Sequence, residues 1–187
     1  MRGEAQTKFQ IPEGFAIFKD YDNNPYKLER DLDGDGRKDV VVVYSKIKSE
    51  DEQIVAVYLS MSSKTYKSYF YFPFSSNSYS LEFKNKVLIV GSCFGNGRFC
   101  KTLKFKFYPA LKNMRLIGYD EESFGNAVHE GAYFKSVNLL TNQYEISGPE
   151  WKDKIVGKAK LPILTLKNID EKTFDQLANI GESYLTD

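Results

Sequence analysis

The sequence predicts a mainly β fold of antiparallel sheets, sandwich-like or like part of a propeller, closed by a short C-terminal helix. Aromatic residues, mostly Tyr and Phe, make up 15% of the 187 residues, and such side chains suit pleated, half-buried surfaces. Apolar residues fall in short runs or strict alternation, at strand length and strand period. Clusters of Gly, Asn, Asp and Ser punctuate those runs.

Taken in order, a first strand at 15–18 leads into the turn-rich Asp20-Tyr21-Asp22-Asn23-Asn24-Pro25 and then an acidic stretch. Val40-Val41-Val42-Val43-Tyr44 follows at once. An unbroken β-branched run bounded by turn residues reads as a strand buried on both faces. Residues 53–60 give another strand, and 65–74 and 79–83 continue the pattern around Ser75-Ser76-Asn77-Ser78. Across 99–108, Leu103, Phe105 and Phe107 alternate with Lys104 and Lys106, marking a half-exposed antiparallel strand. Its partner is 114–119, across Pro109-Ala110-Leu111-Lys112-Asn113, and shorter strands are expected at 133–139, 143–146 and 158–166. Asn168 followed by Glu171 fits a capping box, after which Phe174, Leu177 and Ala178 share one helical face. That helix should dock on the sheet.

The length suits one core, so a single domain is expected over 11–187 behind a flexible segment at 1–10. Residues 1–7 carry no apolar signal-peptide region, a beginning that a mature secreted chain would share. Lys and Arg number 26 against 25 Asp and Glu, so no net field favours nucleic acid or an anionic membrane. Runs such as 40–44 and 87–90 are far too short for a bilayer core of about 30 Å, and no membrane insertion is expected.

Cys93 and Cys100 flank Phe94-Gly95-Asn96-Gly97-Arg98-Phe99, and Asn96-Gly97 is a strong type I′ hairpin signal. A two-residue loop there sets Gly95 opposite Arg98, Phe94 opposite Phe99 and Cys93 opposite Cys100. That separation permits a disulfide. The alternative is two small buried thiols in a reducing compartment.

The main functional candidate is Asp31-Leu32-Asp33-Gly34-Asp35-Gly36-Arg37-Lys38-Asp39. Calcium takes six to eight oxygen ligands in a flexible shell, and a tight turn that points alternate carboxylates inward supplies them. Asp31, Asp33, Asp35 and Asp39 offer side-chain oxygens, Arg37 its backbone carbonyl, and Gly36 permits the sharp bend. The opening matches an EF-hand loop, but Val42 stands where that loop needs a bidentate Glu, and a strand follows in place of a helix. Crowded carboxylates repel by about 1 kcal/mol per close pair even in water, an excess that Arg37 and Lys38 offset in part. Without a cation the stretch would be a solvated turn with its side chains splayed outward.

This Asp-x-Asp-x-Asp-Gly-x-x-Asp pattern, followed by an apolar strand, resembles the calcium loop of integrin-type FG-GAP and VCBS repeat proteins, and the chain is similar to single-motif bacterial members. The matching segments are 91–97, 102–108, 115–119 and the turn Asn138-Leu139-Leu140-Thr141, so the likeness covers about residues 11–147. The Phe-Gly and Gly-Ala-Pro signatures of the repeats are not recognisable, and one loop in a chain of this length does not make a full propeller. The resemblance implies an extracytoplasmic β protein in periplasm, at the cell surface or secreted. With the twelfth-position Glu missing, its calcium would be held weakly, as suits surroundings rich in the ion.

His129 is the only histidine, so histidine-rich zinc sites are excluded, and no Gly-x-Ser-x-Gly elbow surrounds Ser92, Cys93 or Ser123. Gly91-Ser92-Cys93-Phe94-Gly95-Asn96-Gly97 lacks the Lys and helix of a phosphate-binding loop. Asp120-Glu121-Glu122 with Glu130 forms a second acidic cluster, read as a solvated loop ahead of paired catalytic carboxylates. Tyr69, Tyr71 and Tyr79 could line a partner surface, although cover by a second layer is the preferred expectation. The sequence therefore predicts a calcium-stabilised, non-enzymatic domain that binds a protein or surface glycan, with an immunity-type inhibitor as its specific version. The competing expectation is an envelope hydrolase using residues 120–122 with His129 or Glu130.

Overall fold

A computed structural model describes residues 11–61, 64–71, 78–95 and 97–185, with the backbone alone at 50, 51, 61 and 64–71. The segment expected to be flexible, 1–10, and the side chains of Tyr69 and Tyr71 lie outside the described residues. Strands run in the order β1 (Phe15–Ile17), β2 (Lys27–Arg30), β3 (Asp39–Lys46), β4 (Ser49–Met61), β5 (Lys64–Tyr71), β6 (Ser78–Lys84) and β7 (Val87–Phe94). They continue as β8 (Phe99–Tyr108), β9 (Asn113–Phe124), β10 (Ala132–Asn138), β11 (Gln143–Ser147) and β12 (Ile155–Lys158), and helix α1 (Glu171–Ala178) follows.

The mainly β, antiparallel architecture with a short C-terminal helix is as the sequence predicts, and the described strands close no barrel. One sheet has the order β1-β3-β4-β5, with β2 beside β1 along the same edge of β3. The other is a seven-stranded meander, β12-β11-β10-β9-β8-β7-β6. Val41, Val43, Val55, Val57 and Leu59 of the first sheet share one buried cluster with Leu88, Val90, Leu103, Phe105 and Leu116 of the second. Phe174 and Leu177 of α1 belong to the same cluster, so the helix helps to close the core. On the other face of β3 and β4, Val40, Val42, Tyr44, Ile54, Ala56 and Tyr58 form a second buried cluster with Phe15 and Ile17. The β-branched run at 40–44 is therefore buried on both faces, as its composition implies. Tyr79 is buried too, its hydroxyl donating to Gln53 Oε1 at 2.6 Å.

The β7–β8 hairpin has the expected register. Cys93 pairs with Cys100 and Phe94 with Phe99, and the cysteines form a disulfide. Asn96 lies outside the described residues, but Gly95 and Gly97 both have positive φ, 59° and 80°, and Arg98 N–H donates to the Gly95 carbonyl at 3.2 Å.

Three expectations need correction. The acidic triplet Asp120-Glu121-Glu122 lies within β9 and not in a loop, because pairing with β8 and β10 continues through it. A strand at 158–166 is replaced by β12 and then an irregular segment, since Pro162 has no N–H to donate. That segment still substitutes for a strand at one point: Leu116 N–H donates to the Leu164 carbonyl and Leu166 N–H to that of Met114. The helix is capped by Asp170, whose carboxylate accepts from Thr173 N–H at 2.9 Å, and not by Asn168. Asn168 is committed to the preceding turn, accepting from Thr165 N–H at 2.6 Å. Beyond these, β2 forms at Lys27–Arg30, a stretch to which the sequence assigns no element, because β3 offers it an edge.

Leu177 sits at 0% exposure between helix and sheet, whereas Val156 on β12 is 67% exposed. Leu177→Ala should lower unfolding free energy by about 2–5 kcal/mol in urea titrations. Val156→Ala should change it by less than about 0.5 kcal/mol. Equal effects would contradict the packing described.

Candidate metal centre

The acidic loop joins β2 to β3, whose pairing begins at Arg30 opposite Asp39. Its bend passes through Gly34 and Gly36, at φ 82° and 85°, a conformation that a Cβ would resist. Asp31 organises the turn. Its Oδ1 accepts from Gly34 N–H at 2.7 Å and Asp35 N–H at 3.1 Å, and its Oδ2 from Gly36 N–H at 2.8 Å. Asp33 Oδ1 takes a further bond from Asp35 N–H at 3.1 Å.

Asp39 ties this loop to the sheet. Its carboxylate is fully buried, accepting from Leu32 N–H on one oxygen and Ser60 N–H on the other, each at 2.7 Å. Arg37 grips the same point of β4, donating from Nε to the Ser60 carbonyl at 2.6 Å. Both backbone polar groups of Ser60 are thus taken by loop side chains. Sequence reasoning gave no sign of Ser60, because its role rests on backbone atoms that any residue carries.

Of the five expected ligands, the structure brings Asp31, Asp33 and Asp39 together, with one carboxylate oxygen from each lying within 4.8 Å of the others. Asp35 is turned to Arg37, whose guanidinium pairs with it. The Arg37 side chain has no oxygen and is committed to Asp35 and Ser60, so the one oxygen Arg37 has to offer is its carbonyl. Oxygens about 2.3–2.6 Å from one calcium ion lie no more than about 5 Å from each other, so the three carboxylates fit a shared ion. Their donor set is all oxygen, which suits calcium or magnesium and not zinc or copper. Each carboxylate offers about four acceptor positions, and the N–H bonds described above leave at least one open on each.

Electrostatics point the same way. Burial drives the Asp39 carboxyl up from 3.8 to about 6 against the two N–H donors, with Asp33 and Asp35 adding repulsion. Burial also raises Asp33, against the Asp35 N–H, and the charges of Asp35 and Asp31 raise it further. Asp31 is lowered, since the N–H groups of Gly36, Gly34 and Asp35 outweigh its burial. Among the described residues no cationic side chain forms an ion pair with Asp31, Asp33 or Asp39.

The second acidic cluster is divided by strand alternation. Asp120 and Glu122 point to one face of β9 and Glu121 to the other, so the three do not converge as one cluster. Asp120 pairs with Lys104 and accepts from Ser136 Oγ at 2.8 Å. Glu121 is buried between Lys101 on β8 and Lys135 on β10, both directly opposite it in register, with Lys135 Nζ at 3.3 Å. The Tyr119 hydroxyl donates to Glu121 at 2.5 Å, Tyr133 donates to its other oxygen, and Lys135 also donates to the Ala178 carbonyl at the end of α1 at 2.6 Å. Burial opposes the Glu121 charge, but the two hydroxyls and the two ammonium groups outweigh it and hold its carboxyl below the usual range. Burial lowers Lys101, with Glu121 opposing. His129 and Glu130 lie in the exposed β9–β10 turn, where Glu130 bonds Asn126 Nδ2 at 2.6 Å. The inward lysines were readable in principle: Lys101 shares the period-two face of Leu103 and Phe105, and Lys135 that of Val137.

No protein-family model matches the chain, and neither the curated proteins nor the solved structures contain a match to it.

Glu121 has a lowered folded pKa, so its stabilising share is present above the ordinary value of 4.5 and is lost as pH falls through the lower folded value. Glu121→Gln strands Lys135 without its counter-charge and should cost about 3–5 kcal/mol at neutral pH. The variant should also lose less stability than wild type between neutral and acid pH. Urea midpoints across that range check both expectations.

Proposed function

We propose that the chain is a calcium-stapled extracytoplasmic domain that acts by binding a macromolecular partner, not by catalysis. The observation that carries the reading is the convergence of Asp31, Asp33 and Asp39, without an ion pair to any cationic side chain among the described residues, on a loop whose backbone is already folded around them. These three carboxylates and the Arg37 carbonyl are the proposed ligands, with Asp35 holding Arg37 aside. The ion joins the β2–β3 loop to β4 through Asp39 and Ser60. Its job is to staple the fold, and the likeness of the loop to the FG-GAP and VCBS calcium loops supports the same role.

The disulfide supports an oxidising compartment, where such bonds persist and calcium is plentiful. Support for partner binding comes from the outer face of the seven-stranded sheet. There Phe134, at 41% exposure, and Val156 flank a concavity of about 340 Å³ lined also by Ser136, Asn138, Gln143 and Glu145. A protein or surface glycan is the proposed occupant, and an inhibitor-type protein that blocks a secreted enzyme is the specific form.

Thermal melting tests the staple. Calcium at about 100 times its Kd should raise Tm by about 5–10 °C over chelator-treated protein. Asp33→Asn should abolish the response while leaving the calcium-free Tm nearly unchanged, since Asp33 bonds only within its own loop. No shift at millimolar calcium would overturn the reading. Partner binding is tested by mixing the calcium-loaded domain with the products of neighbouring genes. A one-to-one complex on size exclusion is expected, and its absence with every neighbour would contradict that half of the reading.

A further inference from the structure

The Cys93–Cys100 bond joins residues that the sheet already holds opposite one another. β7 pairs with β6 from Ser78 opposite Cys93 to Lys84 opposite Val87, and β8 pairs with β9 from Phe99 opposite Ser123 onward. Each cysteine's strand is therefore fixed by a neighbour on its far side. Pairing also continues past the disulfide to Phe94 and Phe99, whose rings lie 5.2 Å apart, and Phe99 meets Tyr133 at 6.0 Å. Phe124 N–H donates to the Arg98 carbonyl at 2.9 Å and ties the turn to β9. A cross-link constrains the unfolded chain more as its loop grows, and this one spans a sequence separation of only 7. The hairpin's register does not depend on it.

Its direction matters as much. Leu88, Val90 and Ser92 face inward on β7, as do Lys101, Leu103 and Phe105 on β8, so alternation turns Cys93 and Cys100 to the outer face. Around the disulfide the outward residues Ser78, Ser80, Thr102, Glu122 and Phe134 are half-buried or exposed. Among the described residues both cysteines are themselves half-buried, not buried. The bond thus contributes little to the register and lies on the outer face of the sheet, where both cysteines keep part of their surface exposed.

We propose that Cys93–Cys100 is a redox-exchange site for a dithiol carrier protein and not a structural cross-link. A carrier thiolate attacks one of the two sulfurs, the S–S bond breaks, and its electron pair leaves on the other cysteine, which takes a proton. The carrier's second thiolate then attacks the mixed disulfide and releases the first cysteine, which is protonated in turn. The carrier ends as a disulfide and the domain as a dithiol, two electrons and two protons having passed between them. Because β6 and β9 keep both strands in place, reoxidation restores the same bond.

The test treats the whole, calcium-loaded protein without denaturant, first with dithiothreitol and then with reduced thioredoxin, and traps thiols with N-ethylmaleimide for intact-mass analysis. Both reductants should yield two adducts, on Cys93 and Cys100, with the near-ultraviolet circular dichroism spectrum retained. Oxidised glutathione should close the bond again. A bond that opens only in denaturant, that thioredoxin leaves intact, or whose loss abolishes the folded spectrum would overturn the proposal. The double variant Cys93→Ser, Cys100→Ser should fold with an unchanged response to calcium, and its failure to fold would overturn the proposal equally.

Discussion

Asp39 carries its negative charge to a position with no exposed surface, at the first residue of the most deeply buried strand. Burying a carboxylate is costly unless its oxygens are bonded and its charge is balanced. Leu32 and Ser60 supply the bonds, and in doing so they fasten the acidic loop and β4 to the start of β3. They do not supply the balance: among the described residues no cationic side chain forms an ion pair with Asp39, and the charges of Asp33 and Asp35 act against its own. A hard cation among these oxygens would settle that electrostatic account and lock three segments of chain at one point. The arrangement of the first sheet around this corner follows from that constraint.

The second sheet solves a similar problem with its own side chains. Glu121 is as inaccessible as a core residue, yet lysines on both flanking strands and two tyrosine hydroxyls surround it. Lys135 then reaches the carbonyl end of α1, where the helix dipole favours a positive charge. Among the described residues Glu121 is balanced by ammonium groups and Asp39 is not, and this contrast is what the proposed calcium site rests on.

Local chemistry was legible in the sequence wherever one segment decides its own conformation. The run at 40–44 and the Gly-rich hairpin each carry their geometry in their spacing, whereas the alternate carboxylates of the acidic loop do so only in part, Asp35 being turned to Arg37. The cysteine pairing followed from turn length alone. What was not legible depends on partners distant in sequence. The acidic triplet reads as a loop until β8 and β10 are seen on either side of it, and Ser60 becomes important only through its backbone. Asn168 and Asp170 compete for one cap, and the turn that consumes Asn168 depends on how 164–166 pairs with β9.

Calcium titrated calorimetrically into chelator-treated protein measures the central claim most directly. One ion per chain should bind with a Kd of about 10⁻⁴ M, in the range of extracellular modules whose sites lack a full complement of charged ligands. The absence of binding heat up to about 10 mM calcium, two decades above that Kd, would contradict the account.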